Sequence, residues 1–116
     1  MKILIILLVS LVLCGCEVKK EIKSNPNTEL KDILLEDNYT IVDVRTEEEY
    51  EEGHLKHALN IPYDEINENT KLDKDKVVLV YCKSGNRSKI AEDTLINLGY
   101  KVYDLGAFDN INLPKE

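Results

Sequence analysis

No segment constrains this chain more than Val77-Val78-Leu79-Val80-Tyr81-Cys82. An unbroken run of β-branched and apolar residues reads as a strand covered on both faces, the condition of a central strand in a parallel sheet. The run ends at a cysteine. A short polar loop follows, Lys83-Ser84-Gly85-Asn86-Arg87. A helical pattern then covers Ser88 to Leu98, with Ile90, Ala91, Thr94, Leu95 and Leu98 on one face and Gly99 as its stop. This order puts the Cys82 thiol at the C-terminal end of a parallel strand, just ahead of a helix N-terminus. Backbone N–H groups are unpaired there and the helix dipole favours negative charge. A cysteine in that setting tends to the thiolate, its nucleophilic form. The segment points to sulfur or anion chemistry centred on Cys82.

The rest of the chain repeats the alternation. Pro26-Asn27-Thr28-Glu29 offers a helix start with Asn27 or Thr28 as cap, and Leu30, Ile33 and Leu34 recur at helical spacing. Thr40 to Val44 is a short buried strand. Thr46-Glu47-Glu48-Glu49 is a capping box, so a brief helix runs towards Glu51 and ends at Gly53. Ala58 to Pro62 is a second extended piece. Residues 63–76 are polar, with a short helix around Asp64 to Asn69, and Lys101 to Leu105 is the last strand. Strands alternating with helices predict parallel βαβ units and a three-layer α/β domain, a central parallel sheet flanked by helices. Sites in such sheets form at the C-terminal ends of the strands, where both Arg45 and Cys82 fall.

At 116 residues there is room for one domain. A formal net charge of -7 and a pI of about 4.9 argue against nucleic acid or an anionic lipid surface as an electrostatic partner. With no Trp and Phe108 as the single Phe, the core rests on Ile, Leu, Val and Tyr. Residues 1–15 read as a signal peptide: Lys2, then an apolar run from Ile3 to Leu13 that is short for a membrane span. Leu13-Cys14-Gly15-Cys16 resembles a bacterial lipoprotein signal, with a leucine three before Cys16 and small Gly15 directly before it. Cys14 is the poorer acceptor because bulky Leu13 precedes it. That resemblance implies lipidation of Cys16 and an extracytoplasmic protein anchored to a membrane. Residues 16–26 then form the lipidated start and a polar tether, and residues 27–116 the domain. Cys82 is left as the one thiol of that domain, so no intramolecular disulfide is expected.

Three ordered motifs carry a further resemblance. Ile41-Val42-Asp43-Val44-Arg45, the stretch Glu49 to Pro62 containing Gly53-His54 and Asn60-Ile61-Pro62, and Cys82-Lys83-Ser84-Gly85-Asn86-Arg87-Ser88 together resemble the rhodanese-like domain family over residues 27 to 111. The resemblance implies a single-domain, thiosulfate sulfurtransferase-like enzyme. Its cysteine takes the outer sulfur of a small anionic donor such as thiosulfate or polysulfide, holds it as a persulfide, and passes it to a thiol or cyanide. On this chain Cys82 becomes the nucleophile. The backbone amides of Lys83, Ser84, Gly85, Asn86, Arg87 and Ser88 form the sulfur cradle, with Gly85 turning the loop. Lys83 and Arg87 add positive charge for the donor and lower the thiol pKa. The chain departs from the family at His57, where glycine is common, and after the last strand, where a Trp-bearing glycine stretch is replaced by Gly106-Ala107-Phe108-Asp109 and Phe108 stands in for an aromatic lid.

Other residues have plainer readings. Asp43 is expected to hold neighbouring backbone or Arg45. Arg45 pairs with Glu47 or Glu49 or contributes to the substrate site. His54 stabilises its own turn, and the acidic run Glu47-Glu48-Glu49 with Glu51-Glu52 is a solvated face. His54 and His57 lack acidic or cysteine partners at ligand spacing, so no metal is expected, nor any organic cofactor. Monomer is the default state. Two other functions compete. One is a persulfide carrier without enzymatic turnover, which uses the same loop. The other is a phosphatase or arsenate reductase of related fold, which needs a longer loop than the Lys83, Ser84, Gly85 and Asn86 that separate Cys82 from Arg87.

Overall fold

The structure is a computed structural model and describes residues 26–116. The expected signal peptide, Cys14, Cys16 and the tether from Glu17 to Asn25 lie outside the described residues. In chain order the elements are α1 (Pro26–Glu36), β1 (Tyr39–Asp43), α2 (Glu47–Glu52), β2 (Leu59–Asn60), β3 (Val77–Cys82), α3 (Asn86–Asn97) and β4 (Lys101–Ala107). Single 3-10 turns lie at Tyr63–Glu65 and Phe108–Asn110. The strands form one sheet in the order β2-β1-β3-β4, every neighbouring pair parallel, so β1 and β3 are central. This is the three-layer α/β architecture that the alternation predicts.

Side-chain parity sorts the two cores. In β1, Val42 faces one layer with Val44 just beyond it, and Ile41 faces the other. In β3, Val78, Val80 and Cys82 share the first layer, whereas Leu79 and Tyr81 share the second. α3 covers the first layer through Ala91 and Leu95. Leu30, Ile33 and Leu34 of α1 and Tyr50 of α2 pack on the second. Val78 through Cys82 are all fully buried, which accounts for the absence of polar residues in the run. Each buried leucine such as Leu79 or Leu95 contributes about 2 kcal/mol.

The capping box at Thr46 forms in both directions. The Thr46 hydroxyl accepts from the Glu49 N–H at 3.2 Å, and the Glu49 carboxylate accepts from the Thr46 N–H at 3.1 Å. Other boundaries differ from expectation. α1 begins at Pro26, so Asn27 and Thr28 lie in its first turn instead of capping it. The expected helix over Asp64 to Asn69 is a 3-10 turn at Tyr63–Glu65. Beyond it the Asn67 side chain accepts from the Asn69 N–H at 2.7 Å, diverting the backbone into a turn. α3 starts earlier, at Asn86. Its buried face is Ser88, Ala91 and Leu95, and Ile90, expected on that face, is half exposed. β4 runs on to Ala107 because a bulge opposite Val80 and Tyr81 lets pairing continue to Cys82.

Candidate active site

Strand β3 delivers Cys82 to the C-terminal edge of the sheet, and the loop to α3 folds back over it. Gly85 makes this possible. It sits at φ +101, a region that L side chains rarely adopt, and in that conformation its N–H turns inward onto the Cys82 sulfur at 2.9 Å. The Ser88 hydroxyl, from the first turn of α3, lies 3.6 Å from the sulfur and donates to the Gly85 carbonyl at 3.2 Å. Burial opposes ionisation of the thiol. The Ser88 hydroxyl and the amides of Ser88, Gly85 and Ser84 outweigh it, so the thiol is held below its ordinary pKa. Burial alone would describe a structural cysteine. The Gly85 N–H aimed at the sulfur, with the Ser88 hydroxyl beside it, is an environment that favours a thiolate.

The rest of the loop divides. Lys83, Ser84 and Asn86 are exposed at the rim. The strongest influences on the thiol are burial and the hydrogen bonds of Ser88, Gly85 and Ser84, and Lys83, expected to lower its pKa, is not among them. Arg87 points back across the loop. Its two terminal nitrogens donate to the two carboxylate oxygens of Glu49 at 2.8 and 3.1 Å. The acidic run is thus not a wholly solvated face. The hydrogen bond from Arg87 and the capping bonds from Thr46 outweigh partial burial and lower the Glu49 pKa to about 2. Arg87 also feels the charge of Cys82, so the pair lies within electrostatic reach of the sulfur.

Asp43 and Arg45 occupy the other layer. The fully buried Asp43 carboxylate accepts from the Arg45 backbone N–H at 2.9 Å, from Arg45 Nε at 2.9 and 3.0 Å, and from a terminal Arg45 nitrogen at 2.6 Å. That terminal nitrogen also donates to the Gly53 carbonyl, and the guanidinium lies 4.4 Å from the Phe108 ring centroid. Arg45 therefore pairs with Asp43, not with Glu47 or Glu49, and its described donors are committed to structure. Tyr81 completes the network: its hydroxyl donates to Asp43 at 2.9 Å and accepts from the buried Leu55 N–H at 2.9 Å. Tyr81 escaped the sequence reading because an aromatic residue in an apolar run reads as plain core; its place directly before Cys82 gave only its parity.

Phe108 stacks on Tyr81 at 5.6 Å between ring centroids, and its described contacts are with that network instead of with Cys82. His54 holds its own turn as expected, with Nδ1 2.9 Å from the Tyr50 carbonyl and its ring stacked on Tyr50. His57 is exposed at φ +71, which explains why glycine suits that position. Among the described residues no cluster of three or more histidine, cysteine, aspartate or glutamate side chains is arranged to hold a metal ion, and no helix is long and apolar enough to cross a membrane. A cavity of about 530 Å³ lies at the opposite end of the sheet, beside Tyr39, Ile41, His57 and Lys76, and includes no residue of the Cys82 loop. The thiol site is defined by its donors, not by a large void.

Comparison with known proteins agrees with this geometry. Residues 26–112 match the sequence pattern of the Rhodanese-like domain. The thiosulfate sulfurtransferase PspE of Escherichia coli is 37% identical over 78 residues, covering 64% of this chain and 75% of that protein. The thiosulfate sulfurtransferase GlpE of Coxiella burnetii is 36% identical over 90 residues, covering 75% and 84%. Among solved structures, a rhodanese with anions from E. coli superposes with a TM-score of 0.62 at 34% identity, covering 67% of this chain and 96% of that one. Shared fold and shared sequence lead to one conclusion: this chain belongs to the rhodanese-like domain family, among whose members are thiosulfate sulfurtransferases.

Proposed function

We propose that this protein is a sulfurtransferase that moves sulfane sulfur from thiosulfate or polysulfide to a thiol or cyanide through a persulfide on Cys82. The convergence of the Ser88 hydroxyl and the Ser84, Gly85 and Ser88 amides on one sulfur carries the reading. In the thiol form S–H donates to Ser88 Oγ while the Ser88 hydroxyl donates to the Gly85 carbonyl. Loss of the thiol proton frees the Ser88 hydroxyl to rotate and donate to the thiolate instead. The thiolate attacks the outer sulfur of thiosulfate. The new S–S bond forms to Cys82, the old one breaks, and sulfite leaves with the bonding pair. The persulfide anion is the same kind of charge as the thiolate and is stabilised by the same inward-facing amides. An acceptor thiolate or cyanide then takes the terminal sulfur and returns Cys82 as thiolate.

The test is intact mass before and after thiosulfate or polysulfide, with Cys82→Ser alongside. A reducible gain of one sulfur atom in the parent alone supports the persulfide; no gain on a thiol shown to be free refutes it. A persulfide that forms but is not discharged to small acceptors marks a carrier. We further propose that Cys16 anchors the protein to a membrane outside the cytoplasm, on the strength of Leu13-Cys14-Gly15-Cys16 behind an apolar leader. Labelled fatty acid should enter the full chain and not its Cys16→Ala variant.

A further inference from the structure

We propose that Glu49 is a positioning residue that sets the charge of the donor site, neutralising Arg87 so that singly charged sulfane donors are favoured over the thiosulfate dianion. The proposal rests on the sulfurtransferase reading and adds a donor class to it.

Arg87 is the loop's partly buried cation, and both of its terminal nitrogens are bound by the two oxygens of one carboxylate. A bidentate pair of this kind fixes the guanidinium plane and cancels most of its field at longer range. The charged and titratable groups that act most on Arg87 are Glu49 from α2, Cys82 from β3 and Tyr63 from the 3-10 turn at Tyr63–Glu65. None adds positive charge. Glu47, Glu48, Glu51 and Glu52 on the same short helix as Glu49 are exposed and have no ion-pair partner among the described residues. Lys83 is the other loop cation, and it stands exposed at the rim. A second negative charge on the donor is therefore opposed by an acidic helix and met by an arginine whose charge is already matched.

Glu49→Gln separates charge from architecture, because glutamine still accepts from Thr46 in a capping box. The probes are thiosulfate and methanethiosulfonate, a close analogue with one negative charge. Each gives up its outer sulfur to the Cys82 thiolate, with sulfite or methanesulfinate leaving with the bonding pair. Removing one negative charge beside the site should raise kcat/KM for thiosulfate about fivefold relative to methanethiosulfonate, chiefly through KM. The gain should shrink as salt is added. The thiol titration, read as alkylation rate against pH, should move to lower pH. A clamp that merely holds the loop predicts the opposite: loss of cradle order, a titration moved to higher pH, and both donors impaired alike. Either that pattern or an unchanged donor ratio in a folded variant overturns the proposal. A parent protein that takes sulfur from neither donor overturns the sulfurtransferase reading itself, a separately visible failure.

Discussion

Tyr81→Phe tests the buried network in the layer opposite the thiol. The substitution removes one oxygen and leaves the ring, its stacking on Phe108 and the packing volume in place. That oxygen has two partners: it donates to the fully buried Asp43 carboxylate at 2.9 Å, and it accepts from the N–H of fully buried Leu55 at 2.9 Å. A hydrogen bond to a charged group contributes about 1.5–3 kcal/mol. An orphaned buried N–H costs a further ~1–3 kcal/mol. Against this, phenylalanine avoids the cost of burying a hydroxyl, which returns roughly 1–2 kcal/mol. The balance is a loss of about 2–3 kcal/mol. With a urea slope of about 1–1.5 kcal/mol/M for a domain of this size, the midpoint should fall by roughly 2 M with the slope unchanged. Tyr39→Phe is the control. Its hydroxyl has no hydrogen-bond partner among the described residues, and its midpoint should move by less than about 0.5 M. A Tyr81→Phe midpoint within that same margin would refute the argument that the hydroxyl bridges Asp43 and Leu55.

Ser88→Ala should move the Cys82 titration to higher pH, because the hydroxyl is the largest contributor holding the thiol down against burial; alkylation at pH 7 slows while the rates converge at high pH. Glu49→Gln should cost about 1 kcal/mol at pH 7, the worth of a partly exposed ion pair. The folded carboxylate titrates at about 2 against an ordinary 4.5, so the contribution is present above pH 4.5 and lost as pH falls towards 2; acid unfolding curves of parent and variant should merge over that window. His57→Gly should stabilise the fold by up to about 1 kcal/mol in urea unfolding, because relief of the positive φ outweighs the added freedom of the unfolded chain; a loss of stability would show that the imidazole is making a contact worth more than the strain.

The parts of the fold legible in the sequence were those where one local rule acts alone. Val77 to Cys82 could be only a strand covered on both faces, and Thr46 to Glu49 could cap only one kind of helix start. Cys82, Gly85 and Ser88 fell together because strand, turn and helix are contiguous, so spacing along the chain is nearly spacing in the molecule. Contacts across distant segments were not legible. Glu49 and Arg87 are 38 residues apart, and nothing in either segment says that a six-residue acidic helix will lie beside the loop. Arg45 has four acidic residues within four positions, Asp43, Glu47, Glu48 and Glu49, and only the β1 geometry selects Asp43, two residues back on the same face. Ile90 continues the apolar stripe in sequence yet stands half exposed, because the buried face is set by Ser88, the small polar residue beneath the thiol.

The parity of β1 and β3 has a consequence for how such a protein can diverge. Asp43 and Tyr81, with Arg45 just beyond β1, are odd-numbered and belong to the layer that holds the fold together. Val42, Val80 and Cys82, with Val44, are even-numbered and line the layer that holds the Cys82 thiol. The sheet stands between the two sets like a partition wall. Substitutions on one side should add to, and not multiply, those on the other. A lineage can therefore exchange the residues around the thiol, and so alter what that site accepts, while the inheritance of its scaffold stays intact. Glu49 is the exception: α2 packs Tyr50 against one layer and sends Glu49 to the loop of the other, so changes there are felt on both sides of the wall.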